Sequence, residues 1–488
     1  MCCASMEVGQ MLFNDLREFI NAVDRMGELK RVEGAHWDLE IGAITELVAE
    51  RKGPALLFDK IVDYPGGYRI LTNAFGSLKR TALVLGLPLD LDALAMLKAW
   101  REKTKQYKPV PPVEVSDAPV SQNILAGTEI DLYKFPAAKW HEADGGRYLG
   151  TGCAVIVKDP EEDWVNVGTY RCMLYNRDKI FVNMAAGKHG RLIMDKYHAR
   201  GKSCPVVISL AQDPALWMAA TYNGVPWGMS EFDFAGWLRG KPIEVIRGEV
   251  TGLPIPARAE VVLEGEIPPL GEIEPKLEGP FGEWLGYVSE SRTMTPIMRV
   301  KAILHRDDPT ILGAPPLKPP RPYAFSLPLA AISVWDQLEG AGVVGVKGVW
   351  IPCFDYARAI VVAIKQMFPG HSKQAALAAA SCRAANSGGR IIIVVDDDVD
   401  ITNLEEVFWA VATRADADNI EIVKGMTVTG SDPLLTKEYK EKWGLVKSRL
   451  VIDACRPYMR LKDFPPVNVF SPEYRQKITS KWHDLLTT

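Results

Sequence analysis

Two glutamates and one arginine are the side chains of this sequence best suited to chemistry. Glu278 and Glu283 stand at the two ends of the run Glu-Gly-Pro-Phe-Gly-Glu, and Arg171 follows Asn166 in the spacing Asn-x4-Arg. Glycine and proline favour a stiff turn, which can hold two carboxyl groups near one small target. A cation beside them would keep one carboxyl group ionised while the other retains a transferable proton. The pattern therefore indicates acid–base chemistry, although composition alone favours a structural ion pair with a solvent-exposed acid.

A second group of side chains offers ligands for a divalent cation such as Mn²⁺. Asn166, His189 and Glu231 supply oxygen and nitrogen donors of suitable hardness, but they are widely spaced. His189 lies in a glycine-flanked segment, and a lone histidine is more often a surface residue than a ligand. Ser230 could cap a helix, with Glu231 beside the helix dipole. From these residues alone, the capping interpretation is the simpler one for Glu231.

The run Asp-Asp-Asp-Val-Asp over 396–400 follows an apolar segment, as aspartates that bind metal or phosphate often do. A solvated strand end followed by a helix cap explains it equally well, and we favour that interpretation. The sequence contains no strand-associated GxGxxG, no Walker A motif, no GxSxG and no HExxH. These absences argue against the commonest nucleotide, serine-hydrolase and zinc-protease sites.

Composition indicates an ordinary globular protein of two or three domains. The chain has 488 residues with 47% hydrophobic and 24% charged residues, and its formal net charge is -4. With 57 basic and 61 acidic residues, no strongly basic region predicts a nucleic-acid partner. No apolar run approaches the roughly 20 residues that span a bilayer, and the N-terminal residues do not resemble a secretory signal. We therefore expect neither a nucleic-acid partner nor a membrane association.

The cysteines predict a reducing compartment. Apart from the first two they are scattered, and no CxxC motif is present, which argues against a zinc ribbon, an iron–sulfur cluster or a disulfide scaffold. The cytoplasm is the simplest setting, with most of these side chains acting as small apolar residues. The eight are Cys2, Cys3, Cys153, Cys172, Cys204, Cys353, Cys382 and Cys455.

Hydrophobic periodicity divides the chain into three regions. The first is an α/β unit with helices predicted over 12–30, 39–50 and 80–107 and strands over 53–58 and 68–73. From about 123 to 305, short β-type runs separated by Gly, Pro and Asp predict a barrel or layered sheet with one helix over 190–200. Its strands are predicted over 154–158, 179–182, 205–210, 242–246, 259–265 and 297–304.

The third region is a second α/β domain. Six prolines over 313–328 exclude a regular helix, and this segment suits either a linker or a substrate-facing loop. Beyond it the sequence predicts alternating helices and strands and a polar C-terminal helix from about 472, of a kind that often docks on a neighbouring subunit. The helices are predicted over 329–341, 355–367 and 403–414, and the main strand over 390–395.

Nine segments in the same order resemble the UbiD-type decarboxylase family, from about Leu16 to Tyr474. Each is weak alone, but their order and spacing together are highly specific. They are Leu-Arg-Glu-Phe-Ile (16–20), Gly-Pro-Ala-Leu-Leu-Phe (53–58), His-Glu-Ala-Asp-Gly-Gly-Arg-Tyr-Leu-Gly-Thr-Gly (141–152), Asn166-x4-Arg171, Gly-Lys-His (187–189), Ser230-Glu231, Pro-Ala-Arg-Ala-Glu-Val-Val-Leu-Glu-Gly-Glu (256–266), Glu-Gly-Pro-Phe-Gly-Glu (278–283) and Val-Asp-Asp-Asp-Val-Asp-Ile (395–401).

The resemblance implies a mixed α+β and α/β architecture. The family has an N-terminal α/β unit, a split β-barrel that binds the flavin, a linking helix and a C-terminal α/β domain that mediates oligomerisation. On this chain we expect boundaries at 1–115, 116–312, 313–341 for the Pro-rich loop and linking helix, 342–456, and 457–488 for a tail helix. A homodimer or homohexamer is expected.

The resemblance also implies a carboxy-lyase that uses prenylated FMN, made by a separate flavin prenyltransferase, to decarboxylate aromatic or unsaturated acids reversibly. Arg171, Glu278 and Glu283 would be catalytic: Arg171 positions the substrate carboxylate, Glu278 tunes Arg171, and Glu283 donates the proton. Asn166, His189 and Glu231 would bind Mn²⁺ or a similar ion at the flavin phosphate. K⁺ is expected near Ala220, Thr221 and Asn223, and Lys373 is expected at the cofactor phosphate.

The substrate is expected to be an aryl carboxylic acid of moderate to large size. The positions Tyr323, Phe325, Met426 and Val428 would line the pocket, and they are apolar or aromatic. Indole, pyrrole, phenazine and naphthalene carboxylates all suit such a pocket, and a phenolic acid is the alternative. Two other classes stay open at this point: a flavin-dependent oxidoreductase, and a non-catalytic subunit of a multi-subunit carboxylase. The intact Arg171, Glu278 and Glu283 argue against the latter.

Overall fold

The structure is a computed structural model that describes residues 13–222, 224–289, 293–319, 328–352, 359–386, 389–428, 430 and 432–486. It has a mixed α/β architecture in three successive regions. Within the described chain, none of the helices combines the length and apolar character needed to span a bilayer.

The N-terminal region packs four helices around a small sheet. Helix α1 begins after Asp15, whose carboxylate accepts a hydrogen bond from the backbone N–H of Glu18, and it buries Leu16, Phe19, Ile20 and Val23 along one face. The helices are α1 (Leu16–Arg25), α2 (Glu40–Glu50), α3 (Leu78–Leu85) and α4 (Ala93–Thr104), and the strands are β1 (Leu29–Glu33), β2 (Ala55–Asp59), β3 (Arg69–Thr72) and β4 (Val113–Glu114).

Two helices predicted in this region are shorter than their apolar pattern indicated. The helix predicted over 12–30 ends at Arg25, and Gly27 then adopts a φ of 71°, so the chain turns into strand β1. The helix predicted over 80–107 is two helices, because Gly86 ends the first with a φ of 61°. Glycine is tolerated in this left-handed conformation, which terminates a helix.

The described residues of the middle region form predominantly antiparallel sheet with three α-helices. Its strands are β5 (Asn123–Ala126), β6 (Tyr148–Gly150), β7 (Ala154–Lys158), β8 (Val165–Gly168), β9 (Cys172–Met173), β10 (Lys179–Phe181), β11 (Cys204–Ala211), β12 (Glu244–Arg247), β13 (Pro254–Pro256), β14 (Val261–Ile267), β15 (Lys276–Glu278), β16 (Phe281–Gly282), β17 (Val288–Ser289), β18 (Thr293–Thr295), β19 (Ile297–His305) and β20 (Thr310–Leu312). Its helices are α5 (His189–His198), α6 (Pro214–Thr221) and α7 (Glu231–Arg239). The six strands and the helix predicted from the sequence here are confirmed.

The largest sheet of the described residues has seven strands, in the order β10-β19-β14-β11-β7-β8 with β5 also on β19. Alternate residues of each strand enter two different cores: Ile156 and Val207 lie in one, and Val155 and Ile208 lie in the other. Burial on both faces explains why these strands are continuous apolar runs. Strand β20 leaves this region and pairs with β3, so the sheet β1-β2-β3-β20 joins the first two regions.

Three short strand pairs beside the large sheet carry the residues of the candidate site. Strand β6 pairs with β9, β15 with β18, and β16 with β17. Arg171 lies just before β9, Glu278 ends β15, and Glu283 directly follows β16. Through these strand pairs, residues that are far apart in the sequence lie close together in the structure.

The C-terminal region is a five-stranded sheet, in the order β21-β22-β23-β25-β24, with parallel central strands. The prediction of a helix over 355–367 is wrong where the chain is described, because Ala359–Ile364 is strand β22. Its continuous apolar run is buried between neighbouring strands, a pattern that resembles a buried helix in sequence. The elements are α8 (Ala330–Gly340), β21 (Val346–Trp350), β22 (Ala359–Ile364), α9 (His371–Ser381), β23 (Ile391–Asp396), α10 (Leu404–Arg414), β24 (Ile420–Thr427), α11 (Lys437–Trp443), β25 (Val446–Ala454), α12 (Pro472–Lys481) and α13 (His483–Leu486).

Candidate active site

The guanidinium of Arg171 binds the carboxylate of Glu278 through two nitrogens. Nε lies 3.0 Å from Oε1, and Nη2 lies 2.8 Å from Oε2. Glu278 is 0% exposed. Burial alone raises the pKa of Glu278, but its hydrogen bonds and charge interaction with Arg171 outweigh burial and leave the pKa below its usual value. Glu278 is therefore an ionised partner of Arg171 at neutral pH.

Two further side chains complete the environment of Glu278. The hydroxyl of Tyr148 donates to Oε1 at 2.8 Å, and the amide of Asn183 donates to Oε2 at 2.9 Å. The backbone N–H of Asn183 also donates to the carbonyl of Arg171 at 3.0 Å. Both carboxylate oxygens thus accept hydrogen bonds from neutral and charged donors, which compensates for the burial of the charge.

Tyr148 and Asn183 were not assigned a role from the sequence. Tyr148 reaches the site because β6 pairs with β9, which aligns it with Met173, two residues after Arg171. Its segment was noted only as part of a family pattern. Asn183 follows strand β10 as one polar residue after an apolar run, and nothing in its spacing distinguishes it.

Glu283 lies on the other side of Arg171 in a different environment. Its Oε1 is 3.5 Å from Nη1, and its side chain is 30% exposed. Burial raises the pKa of Glu283, the charge and hydrogen bond of Arg171 lower it, and the charge of Glu278 raises it again, so the net shift is upward. The two glutamates therefore differ as acid–base pairs require: Glu278 stays ionised, and Glu283 holds its proton to higher pH.

Backbone geometry fixes the turn between the two glutamates. Gly279 has a φ of 94°, a conformation that favours glycine. The backbone N–H of Gly145 donates to the carbonyl of Pro280 at 2.8 Å, and a Cβ atom on Gly145 would lie only 1.9 Å from the carbonyl oxygen of Gly279. The segment around Gly145 therefore packs directly against the turn, and a larger residue there would displace it.

Asn166 and Glu231 form a second buried polar group. The amide nitrogen of Asn166 donates to Glu231 Oε1 at 3.0 Å, and the backbone N–H of Val167 donates to Oε2 at 2.7 Å. Burial raises the pKa of Glu231 to about 8, although these hydrogen bonds oppose the shift. The buried Oδ1 of Asn166 accepts no hydrogen bond from the described residues. A buried amide oxygen without a donor beside a desolvated carboxyl group fits a bound cation.

The capping interpretation of Ser230 is confirmed. Its hydroxyl accepts a hydrogen bond from the backbone N–H of Phe232 at 3.3 Å, at the start of α7. Glu231 is therefore the first residue of a capped helix, and its carboxyl group nevertheless turns to Asn166 rather than to solvent.

His189 is the first residue of α5, which packs on β8, the strand that carries Asn166. Its ring lies 5.6 Å from that of Trp164 and 5.2 Å from that of Trp227. Burial, and secondarily the charge of Lys188, lowers the pKa of His189, so the imidazole is neutral near neutral pH. A neutral imidazole is the form that binds metal ions.

The remaining predicted ligand positions are spread over two regions. Ala220 and Thr221 end helix α6, where the hydroxyl of Thr221 donates to the carbonyl of Met218 at 2.9 Å. Asn223 lies outside the described residues. Lys373 lies in α9 of the C-terminal region, and its ammonium forms an ion pair with Glu421 at 2.8 Å. Its assignment to a cofactor phosphate stays a prediction.

The predicted pocket positions are described only in part. Tyr323 and Phe325 lie outside the described residues. Met426 is on the edge strand β24 and is half-buried, and Val428, just beyond it, is buried. Both belong to the C-terminal region, so their proximity to Arg171 stays a prediction.

The aspartate run is a structural charge cluster. Asp396 interacts with Gln366, Arg414 and Arg456, and Asp398 accepts two hydrogen bonds from Arg414. Among the described residues, no group of three or more His, Cys, Asp or Glu side chains could hold a metal ion. The solvated strand end that we favoured is wrong for Asp396, which ends β23 and is buried in these ion pairs, and the residue that caps α10 is Asn403.

Replacing Tyr148 by phenylalanine is expected to lower kcat/KM about three- to tenfold and stability by about 1 kcal/mol, because one hydrogen bond to a buried carboxylate is lost. Steady-state kinetics measure the change in kcat/KM, and thermal unfolding measures the change in stability. Tyr175→Phe is the matched control, since the Tyr175 ring packs against Phe181 and Lys276. Equal behaviour of the two variants would contradict a role for Tyr148.

Comparison with known proteins relates most of the chain, from residue 20 to residue 454, to one family. Three domains of 3-octaprenyl-4-hydroxybenzoate carboxy-lyase match: the N-terminal domain at residues 20–100, the Rift-related domain at 112–319 and the C-terminal domain at 325–454. The pyrrole-2-carboxylic acid decarboxylase of Pseudomonas aeruginosa is 33% identical over 82% of this chain and 83% of its own length.

Two solved structures have the same fold. Vanillic acid decarboxylase of Sedimentibacter hydroxybenzoicus in its open form superposes with a TM-score of 0.84 at 26% identity, covering 98% of this chain and 100% of the other. The UbiD-class enzyme HmfF of Pelotomaculum thermopropionicum, in complex with FMN, superposes with a TM-score of 0.81 at 26% identity, covering 94% and 98%.

Proposed function

Because the chain belongs to the UbiD family of carboxy-lyases, we propose that it decarboxylates an aromatic or heteroaromatic acid reversibly with prenylated FMN. One observation carries the assignment to this site: Arg171 lies between a buried, ionised Glu278 and a Glu283 whose pKa is raised. That arrangement holds one cation for a substrate carboxylate and one proton for transfer.

Each catalytic side chain has a separate role. Arg171 uses Nε and Nη2 on Glu278, and its Nη1, which lies 3.5 Å from Oε1 of Glu283, would bind the substrate carboxylate. Glu278 fixes the orientation and charge of Arg171. Glu283 donates a proton to the carbon from which CO₂ departs, and accepts it back in the reverse direction. Its raised pKa keeps it protonated further towards neutral pH than a free glutamic acid.

The cofactor would be held at the side of the large sheet that carries Asn166. We assign the seven-stranded sheet to a split β-barrel, α8 to a linking helix and the C-terminal sheet to an oligomerisation domain. Asn166, His189 and Glu231 would bind Mn²⁺ or a similar ion against the flavin phosphate. The orphaned Oδ1 of Asn166 and the desolvated carboxyl group of Glu231 support this set. When bound, prenylated FMN supplies the electron sink for the electrons left by departing CO₂.

The relatives support a substrate class for the proposed reaction. A decarboxylase of pyrrole-2-carboxylic acid is 33% identical over most of the chain, which favours a heteroaromatic acid. The structural similarity to a vanillic acid decarboxylase supports a phenolic acid as the second candidate. The apolar Met426 and Val428, with Tyr323 and Phe325, would surround the ring. A flavin prenyltransferase would supply the cofactor, and a homodimer or homohexamer in the cytoplasm is the expected assembly.

Expression with and without a flavin prenyltransferase tests this function. The protein from each culture is supplied with Mn²⁺ and K⁺ and incubated with pyrrole, indole, naphthalene and hydroxybenzene carboxylic acids, and CO₂ release is measured. We expect release only after co-expression, from at least one of these acids. A flavin oxidoreductase would instead bleach with NAD(P)H and release no CO₂.

Removal of the divalent ion is expected to release the flavin. After chelation, flavin retention should fall and the unfolding temperature should decrease, because binding to the folded state alone stabilises it. Added Mn²⁺ should restore both in the wild type. Glu231→Gln should bind Mn²⁺ about tenfold more weakly or worse, since the carboxylate charge is removed. Added Mn²⁺ should therefore restore little of its flavin retention or unfolding temperature. Glu264→Gln, at a buried glutamate of β14 bound to the Thr251 segment, is the control.

A further inference from the structure

Tyr170, the residue before Arg171, lies between the proposed cation ligands and the proposed catalytic residues. It contacts elements that carry both groups and belongs to neither group. Its ring fits between two glycines from different elements. A Cβ atom on Gly168, at the end of β8, would lie 2.7 Å from ring atom Cε2. One on Gly190, in the first turn of α5, would lie 2.9 Å from the hydroxyl oxygen. Both distances are below ordinary contact, so the ring is held by backbone on two sides.

The hydroxyl of Tyr170 replaces a missing helix cap. Lys188, at the N-cap position of α5, makes no side-chain capping hydrogen bond. The backbone N–H of Gly190 instead donates to the Tyr170 hydroxyl oxygen at 3.1 Å. Free N–H groups at a helix start need an acceptor, and this one comes from another element. The contact fixes the main chain next to His189.

The carbonyl of Tyr170 is held at the opposite end of the residue. It accepts hydrogen bonds from the thiols of Cys153 at 3.1 Å and Cys172 at 3.3 Å. Both thiols are buried. This carbonyl belongs to the peptide that joins Tyr170 to Arg171, so the two thiols restrain the main chain from which the guanidinium extends.

We propose that Tyr170 is a positioning residue that sets the distance between His189 and Arg171. Its hydroxyl holds the start of α5, its carbonyl holds the peptide of Arg171, and its rigid ring joins the two. The proposal rests on the proposed function, because it gives His189 a part in cation binding and Arg171 a part in catalysis. The coupling implies that a change at either end is transmitted to the other.

Tyr170→Phe removes only the hydroxyl and tests the first end. Mn²⁺ binding to the FMN-loaded protein is measured by the electron paramagnetic resonance of free Mn²⁺, and kcat is measured at saturating Mn²⁺ on protein co-expressed with the flavin prenyltransferase. We expect half-saturation to require about fivefold more Mn²⁺, the change that one ordinary hydrogen bond allows. We also expect kcat to fall about three- to fivefold even when Mn²⁺ is saturating, since Arg171 is less well held.

Cys153→Ala tests the second end, because it removes a donor to the carbonyl. It should lower kcat and also weaken Mn²⁺ binding, each by about two- to threefold, whereas Cys153→Ser retains a donor and should restore both. Tyr197→Phe, on the same helix α5, is the control, since the Tyr197 side chain packs against the apolar core of this region. Circular dichroism and the unfolding temperature establish that each variant is folded.

The outcomes separate the inference from the function on which it rests. If Tyr170→Phe alters Mn²⁺ binding but not kcat at saturation, the hydroxyl only caps α5 and the coupling is refuted. Unchanged Mn²⁺ binding refutes it as well. If the wild type releases CO₂ from none of the acids, the proposed function fails. The Mn²⁺ titration of Cys153→Ala still decides whether the carbonyl end communicates with His189.

Discussion

Replacing Glu283 by glutamine is expected to leave folding and flavin content unchanged while lowering the decarboxylation rate by about 10²–10⁴-fold. Glutamine preserves the size of the side chain and a hydrogen bond to Arg171, but it has no proton to transfer. Exchange of the product's ring hydrogen with solvent deuterium should decrease by the same factor, because it uses the same proton transfer in both directions. Absorbance of bound flavin, CO₂ release and deuterium incorporation measure the three effects.

The pH dependence gives an independent check on Glu283. Burial raises its pKa, and the activity requires the protonated form, so the rate should fall as pH rises through this raised pKa. In Glu283→Gln, the residual activity should no longer fall as the pH rises through this range. Glu274→Gln is the control, since Glu274 accepts a surface hydrogen bond from the backbone N–H of Gly271. Deuterium exchange at the native rate in Glu283→Gln would reject the assignment of Glu283 as proton donor.

Replacing Arg171 by methionine is expected to abolish measurable activity and to cost about 3–5 kcal/mol of stability, because Glu278 would remain buried without its cation. In the wild type the folded-state pKa of Glu278 is lowered, so its contribution to stability is present above the unfolded pKa and is lost as pH falls through the folded value. Without Arg171, burial dominates and the folded pKa is raised. The variant should therefore become more stable as pH falls from neutrality towards the pKa of free glutamic acid.

The double variant Arg171→Met, Glu278→Gln separates stability from chemistry. A neutral amide at position 278 can still accept from Tyr148, so most of the lost stability should return, whereas activity should not. Denaturant unfolding at several pH values gives the free energies. Arg177→Met is the control: its ion pair with Asp131 has an arginine that is 65% exposed, so the loss should be below about 1 kcal/mol. A stable single variant, or a double variant with restored activity, would contradict the roles proposed for Arg171 and Glu278.

Local pattern was enough to predict most elements of the fold. The strands of the large sheet follow from apolar runs bounded by Gly, Pro and Asp, and the predicted segment 154–158 coincides with β7. The run Ala359–Ile364 shows the limit of this approach. Because it is buried between strands, it has no polar face, and periodicity cannot then distinguish a strand from a helix. Only its two neighbours in the sheet determine its conformation.

The candidate site, like the fold, could be predicted from the sequence only in part. The types and order of Arg171, Glu278 and Glu283 indicated their chemistry, and the structure brings the three together. The sequence could not predict that Tyr148 and Asn183 also bind Glu278. Those contacts depend on the pairing of short strands, and pairing between distant segments leaves no local trace.

The sequence by itself determined the family, the reaction class and which side chains are available as acid, cation and ligand, because these depend on residue types in a fixed order. Only the tertiary structure decided that Glu278 is ionised and that Glu283 holds its proton longer. Two identical carboxyl groups differ in proton affinity only through their surroundings, and those surroundings are supplied by segments far away in the chain.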